Sequence, residues 1–349
     1  MKNRLKNMSD TTLLLSITII VFFLMYLAAI LFLGEGFLKL QAFFNMLNAN
    51  AYLILMSCGL TLVMIIGSID ISVGGVAALV SMCCAVYLDR NVLNPDQNLE
   101  PGNVFVSMLI ALGIGLAYGL VQGYLIAYLD IQPFIVSLAG MFFARGMTTI
   151  VHTNPFNVEN KAFNELKDPI RIAFLGTMNK KGKLVPAKIE VGVLVALLVV
   201  LILFLLLRYT RLGRSFYAVG GNRTSALMLG INVKRTKFIA HLMCGVLAGI
   251  GGYVYFLHVG SGSATNASGA EMNAIASSII GGTMLTGGVG NIIGTLFGVL
   301  SLATIRDIVT SAGFDQPWWT GITVAAMLCL FLVIQSVVMA RKKKALKKQ

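Results

Sequence analysis

Apolar residues run along this chain in stretches long enough to cross a bilayer, and polar residues are confined between them. The runs fall at Thr12–Leu33, Ala49–Ile66, Val73–Leu88, Val104–Leu129, Phe134–Val151, Val191–Leu207, Phe238–His258 and Trp318–Ala340, with two more flanking Thr286–Asn291. One crossing takes roughly 20 apolar residues for about 30 Å of hydrocarbon. The pattern predicts an all-α, polytopic membrane bundle of about ten transmembrane helices. It forms a single transmembrane domain over residues 1–349. The first run is too long for a signal-peptide core and no cleavage site follows it, so it reads as a retained span. The polar stretch Asp89–Asn103, with Asn94-Pro95 and Pro101-Gly102, reads as a loop. His152–Glu190 is a longer hydrophilic segment.

Composition agrees: 57% of residues are hydrophobic and 12% charged, about half the charge of a soluble domain. The net charge of +13 gains meaning from its placement. Lys2, Arg4 and Lys6 precede the first span, seven basic residues lie between Arg208 and Lys237, and six lie between Arg341 and Lys348. Arg208–Lys237 contains no acid. By the positive-inside bias all three groups are cytoplasmic. An even span count agrees, since it puts the short tails 1–10 and 341–349 on the same side as the loop 208–237. The outer segment His152–Glu190, with seven basic residues against four acids, runs against this trend. Nucleic acid is excluded as a partner because the aromatics lie in the apolar runs, not among the charges. A lipid bilayer is the implied surroundings. Trp318-Trp319 is placed at the outer interface. The five cysteines sit inside apolar runs and read as small core residues. The three histidines are scattered, so no metal site is expected.

Glycine recurs at four-residue spacing, at Gly115, Gly119 and Gly123, at Gly245 and Gly249, and at Gly290, Gly294 and Gly298. That spacing lets helix backbones approach closely. Two other glycine-bearing stretches are broken in the same manner. One runs from Ile66 through Gly67, Ser68, Asp70, Ser72 and Gly74 to Gly75; the other from Ile280 through Gly281, Gly282, Thr286, Gly287 and Gly288 to Gly290. Non-helical backbone at membrane depth persists only where protein or a water-filled cavity satisfies it. A matched pair of such breaks points to a transporter's path or its hinges; a tight interhelical hairpin is the plainer reading. Asp70, an acid between apolar runs, sharpens the first break. Three roles are open to it: capping the helix that starts near Ser72, pairing with Arg145 or Arg306, or holding a proton or cation. Arg306 has Asp307 beside it as a local partner.

The basic loop has its own shape. Gly220, Gly221 and Asn222 suit a turn, Asn222 or Thr224 caps a short helix over Ser225, Ala226 and Leu229, and Gly230 ends it. A short helix bounded by glycines on the basic side reads as a docking element. The plainer reading is a solvated loop on lipid headgroups. Gly-x-x-x-x-Gly-Lys-Ser/Thr is absent, so the chain does not itself hydrolyse ATP, and no Ser/His/Asp or Cys/His set has catalytic spacing. No enzyme activity and no cofactor are expected in this chain. Energy comes from a partner, from an ion gradient, or not at all.

At these three segments the sequence resembles the permease subunits of bacterial ABC importers for simple sugars, the ribose, xylose, arabinose and galactoside permeases, relatives of the branched-chain amino-acid permeases. Gly67–Gly74 is similar to the family's Gly-Gly-Ile-Asp-Leu-Ser-Val-Gly, with Ser68 departing and Ile71 conservative. Ala218–Asn222, Ala226–Ile231 and Pro133–Leu138 also match. Met272–Gly290 matches except that Met272-Asn273 replaces a leucine-aspartate. Ala139–Gly146, Pro317–Trp319 and Met46–Tyr52 look closest to the second permease of a galactofuranose importer. The resemblance implies a bacterial cytoplasmic-membrane permease. It implies a coupling helix at Ser225–Gly230 seated in a partner ATPase that binds ATP and magnesium. It further implies an extracytoplasmic sugar-binding protein, a second and different permease subunit, and passage of a pentose or furanose hexose. The alternative is an ion-coupled secondary transporter using Asp70; such a carrier wants more than one acid near the midplane, and Asp70 and Asp307 are poor candidates. A membrane enzyme has no polar constellation to support it.

Overall fold

In hydrocarbon every backbone polar group has to be satisfied within its own segment, so the apolar runs fold as helices. A computed structural model describes residues 10–93, 99–178, 184–314 and 316–346. Lys2, Arg4, Lys6, Asn94-Pro95 and the last three residues lie outside them. In chain order the helices are α1 (Asp10–Leu33), α2 (Glu35–Leu38), α3 (Leu40–Ile65), α4 (Val73–Leu88), α5 (Val104–Ala127), α6 (Pro133–Val151), α7 (Lys161–Lys167) and α8 (Val191–Tyr209). There follow α9 (Arg211–Gly221), α10 (Arg223–Met228), α11 (Val233–Val259), α12 (Ala270–Ile280), α13 (Ile292–Ser311) and α14 (Pro317–Leu346).

Among the described residues, eight helices are long and apolar enough to cross a membrane, and α4 is a shorter apolar one. The eleven residues of α12 rise about 16 Å, roughly half the hydrocarbon thickness. Of the ten expected crossings, the one before Thr286 is therefore a half-helix. The second crossing starts at Leu40, well before Ala49. Hydropathy stops at the polar Gln41, Asn45 and Asn48, but they ride on the helix. Gln41 Oε1 accepts the Lys188 N–H at 2.8 Å, and Asn48 Nδ2 donates to the Lys188 carbonyl at 3.1 Å.

α3 is the axis of the bundle: every residue from Leu53 to Ile65 is buried, packed by α8, α11, α12 and α13. The repeated glycines seat α5 on α11. A Cβ at Gly115 would fall 2.5 Å from the Gly245 carbonyl oxygen, and one at Gly245 would fall 2.5 Å from the Gly119 nitrogen. Large apolar side chains such as Phe105, Leu109, Leu116 and Leu120 cover the outer face of α5 and are exposed, as a lipid-facing surface requires. Cys58, Cys84 and Cys244 are core residues, but Cys329 is exposed on α14, where apolar surroundings mean lipid. Trp318 and Trp319 are exposed at the start of α14.

Two small sheets lie at the end of the bundle away from the basic loop. β1 (Phe156–Asn157) pairs antiparallel with β4 (Ser261–Gly262), and β2 (Ile170–Met178) with β3 (Leu184–Ile189). The described residues of the hydrophilic segment His152–Glu190 thus form a folded cover. α7 stacks Phe163 on Phe256 at 4.5 Å, and Glu190 bonds His258 Nδ1 at 2.8 Å.

Candidate functional site

Both breaks are built by the same device. α3 ends with Gly67 in the left-handed region (φ +77). There Ser68 N–H donates to the Val63 carbonyl (3.0 Å) and Gly67 N–H to Met64 (2.9 Å). α12 ends the same way, with Gly282 at φ +90, Thr283 N–H on Ser278 (3.0 Å) and Gly282 N–H on Ile279 (2.9 Å). This pair of bonds is the Schellman helix end, and glycine meets its left-handed demand without a Cβ penalty. Hydroxyls join the two helices in the core: Thr61 Oγ1 lies 2.6 Å from Thr295 Oγ1 and donates to Ser278 Oγ at 3.1 Å.

Of the three roles open to Asp70, the geometry builds the cap. Its Oδ1 accepts from Ser72 N–H (2.9 Å) and Ser72 Oγ (2.7 Å), ahead of α4. Gln122 Nε2 on α5 donates to the same Ser72 hydroxyl at 2.8 Å. Arg145 is committed elsewhere. It donates to the Asn266 and Ala267 carbonyls at 2.7 and 2.9 Å and lies 3.7 Å from Glu271. Arg306 and Asp307 do not bridge among the described residues, since adjacent helical residues project from different faces. Glu271 crowds Gly74, where a Cβ would collide with its carboxylate. The clamp Arg145–Glu271 thus fixes the loop before α12 against the start of α4. The sequence signals for it were an arginine inside an apolar run and an acid in the first turn of a helix. His241 carries a weaker signal: it is fully buried on α11, within electrostatic reach of Asp70, with neither ring nitrogen hydrogen-bonded.

The basic end holds more structure than a loop. α9 fills Arg211–Gly221, and Asn222 caps α10 by accepting the Ser225 N–H at 2.9 Å. Thr224 is exposed and does not cap. The short helix therefore runs Arg223–Met228, and Gly230 (φ +76) follows it. Ala226 is buried against Val219 and Val233, whereas Leu227, Met228 and Leu229 are 54%, 83% and 77% exposed. Asp130, on the turn between α5 and α6, reaches Arg223 at 3.6 Å and Lys237 at 3.7 Å.

Three of these segments meet at one point. Gly288 N–H donates to the Ile65 carbonyl at 2.8 Å, joining the second break to the end of α3. Gly220 of α9 lies against both, so close that a Cβ there would collide with the Ile65 carbonyl. Gly287 packs on Gly67 and Gly220, and Gly288 on Gly221. Tyr217 Oη donates to the Gly290 carbonyl at 2.8 Å, and burial pushes this hydroxyl up to about 12, so it stays protonated as the donor. Thr286 is exposed beside Gly67, and Gly281 packs under Gly294. Asp70, Ser72 and Gly74 stand apart from this junction, deeper in the bundle with Gln122 and Glu271.

The family described as branched-chain amino acid transport system, permease component, matches residues 42–332. The chain is similar to the fructose import permease protein FruG of Bifidobacterium longum, at 33% identity over 323 residues, covering 92% of this chain and 90% of that one. It is 35% identical over 322 residues to the inner membrane ABC transporter permease protein YjfF of Escherichia coli, covering 92% and 91%. Identity to the ribose import permease protein RbsC of the same species is 32% over 310 residues, covering 89% and 90%. No solved structure matches it.

Proposed function

We propose a function from one premise, that this chain belongs to the permease-component family of branched-chain amino acid transport systems. It is the membrane permease of an ABC importer for a monosaccharide, a multi-pass protein of the bacterial cytoplasmic membrane. Partner ATPase and binding-protein subunits accompany such a permease. In our reading ATP and its magnesium are held by the ATPase alone, a second and different permease completes the channel, and the sugar is a pentose or furanose hexose. The binding protein delivers it at the end covered by the β-strands.

One observation carries the reading. α10 holds Leu227, Met228 and Leu229 out in the aqueous, basic end of the molecule, where a monomer has no use for an apolar patch. Behind it, Asn222 and buried Ala226 tie α10 to α9, and Gly220 of α9 touches both breaks. A push on α10 by a closing ATPase dimer therefore reaches Ile65–Gly67 and Gly287–Gly290 through backbone contacts, with no flexible linker between. Those glycines act as hinges, and the Arg145–Glu271 clamp holds the starts of α4 and α12 together while the chain on the cytoplasmic side of the breaks moves.

The ion-coupled alternative has one observation on its side, the unbonded His241 near Asp70. The cap bonds from Ser72 occupy Asp70 Oδ1, and Glu271, the acid against Gly74 of that break, is paired with Arg145 at 3.7 Å. The test is the double variant Met228→Asp, Leu229→Asp in the full complex. It should reach the membrane yet fail to retain the ATPase through purification. Retention of the ATPase together with undiminished uptake refutes the docking assignment.

A further inference from the structure

The end of the bundle opposite the basic loop holds a cavity of about 460 Å³ with a mixed polar and apolar lining, between the first half of α3 and the last turns of α13. Its α3 side is a helical stripe that includes Asn45, Ala49 and Asn50, and its α13 side carries Asp307, Thr310 and Ser311. A carboxylate, two amides and two hydroxyls on one surface do not face hydrocarbon; an acid within a spanning helix faces a protein interior or a wet cavity. Gln41 and Asn48, on the same helix as the stripe and bonded to Lys188 of β3, place this stripe at the rim.

The groups are held so that their remaining bonding capacity points to a ligand rich in hydroxyls. Asn45 Oδ1 accepts from Gln41 Nε2 at 2.6 Å, which leaves its amide nitrogen to donate. Thr310 gives its proton to the Arg306 carbonyl at 2.7 Å, which leaves its oxygen to accept. The Asp307 carboxylate takes no hydrogen bond or ion pair within 4.0 Å from any described residue. Phe37 completes the lining. Tyr26 fixes it, donating to the Phe37 carbonyl at 3.1 Å and meeting its ring edge-on at 6.2 Å. Among the described residues no lysine or arginine lines the cavity, so a phosphorylated ligand is disfavoured. The volume falls within the roughly 300–1,000 Å³ of small-molecule sites.

We infer that this cavity is an outer binding site for a neutral monosaccharide, with Asp307 accepting two sugar hydroxyls, Asn45 donating to a third, and Phe37 covering an apolar sugar face. The inference rests on the sugar-permease reading. Asn45 and Thr310 are both exposed, so cysteine there leaves the fold intact. Asn45→Cys and Thr310→Cys are expressed with the partner subunits and labelled in intact cells by a membrane-impermeant methanethiosulfonate. The parent chain, whose Cys329 is exposed, sets the background. The probes are D-fructose, D-ribose and D-galactose, with sodium and choline salts compared.

Both cysteines should label from outside, and one sugar should slow the reaction of Thr310→Cys, with weaker protection of Asn45→Cys, which lacks the donor amide. Adding Asp307→Asn should leave the unprotected rate unchanged but raise the half-protecting sugar concentration about tenfold or more, the loss of a hydrogen bond to a charged group. Absence of labelling from outside overturns the site. Protection by sodium and by no sugar makes it a cation site and overturns the inference. Labelling without protection, in cells that still take up one of the sugars, overturns the site and leaves the permease reading standing. Failure of the assembled complex to take up any sugar overturns that reading and the inference with it.

Discussion

Alanine at Gly220 asks directly whether α9 drives the two breaks. The added methyl would collide with the Ile65 carbonyl and lie 2.6 Å from the Gly288 nitrogen. These are the two ends of the 2.8 Å hydrogen bond that joins the breaks. Either the bond opens or α9 retreats. A buried donor left unpaired costs about 1–3 kcal/mol, and forcing a methyl into packed backbone adds about 1–3 kcal/mol. Replacing glycine in a helix returns at most about 1 kcal/mol. The net loss is about 1–6 kcal/mol, concentrated at the junction. Gly221→Ala is the matched control, because a Cβ there meets nothing within 4 Å and its effect should stay within about 0.5 kcal/mol. Both variants go into the assembled complex in proteoliposomes, with ATP hydrolysis and sugar uptake measured on the same sample. Gly220→Ala should keep hydrolysing ATP while sugar moved per ATP falls about tenfold, the factor for 1.4 kcal/mol. Gly221→Ala should match the parent. If the two variants behave alike, the junction transmits nothing and the argument from close backbone contact is refuted.

Asp70→Ala should destabilise the protein by about 1–2 kcal/mol through loss of a cap, whereas Asp70→Asn, which keeps an acceptor oxygen, should retain most uptake; a proton or cation site would lose function in both, so inactive Asp70→Asn in a stable protein sinks the capping role. Glu271→Ala leaves the Arg145 guanidinium with two carbonyls and no anion, and thermal unfolding in detergent should show a loss of about 1–3 kcal/mol. Arg145→Lys should not restore stability, because one ammonium does not reach both carbonyls as the guanidinium fork does; parent-like melting of Arg145→Lys contradicts the clamp. Tyr217→Phe removes one bond to Gly290 and should cost about 0.5–1.5 kcal/mol. The folded value of this hydroxyl, about 12, lies above its unfolded value near 10, so its contribution is full below about pH 10 and fades as pH rises through about 12. A Tyr217→Phe penalty that already changes between pH 6 and 8, followed by chemical denaturation, rules this account out.

What could be read from the chain alone was whatever is summed over a local window. Apolar runs, the basic clusters, the paired glycine breaks, the Asn222 cap and the αL end at Gly230 all depend on neighbours a few residues away. The same locality explains the errors. Gln41, Asn45 and Asn48 hid the first turns of α3, and α9 was missed, although Gly213, Phe216 and Val219 recur at helical spacing on one buried face, because its glycines and basic residues read as a loop and turn. Tertiary structure alone decided which breaks touch. Ile65 meets Gly288 and Gly220, and Arg145 meets Glu271 rather than Asp70, across separations that no periodicity encodes. The physical reason is that a hydrogen bond or a missing Cβ acts over a few ångströms of space. The packing of α3, α11 and α13, and not the order of residues, brings those groups within that range.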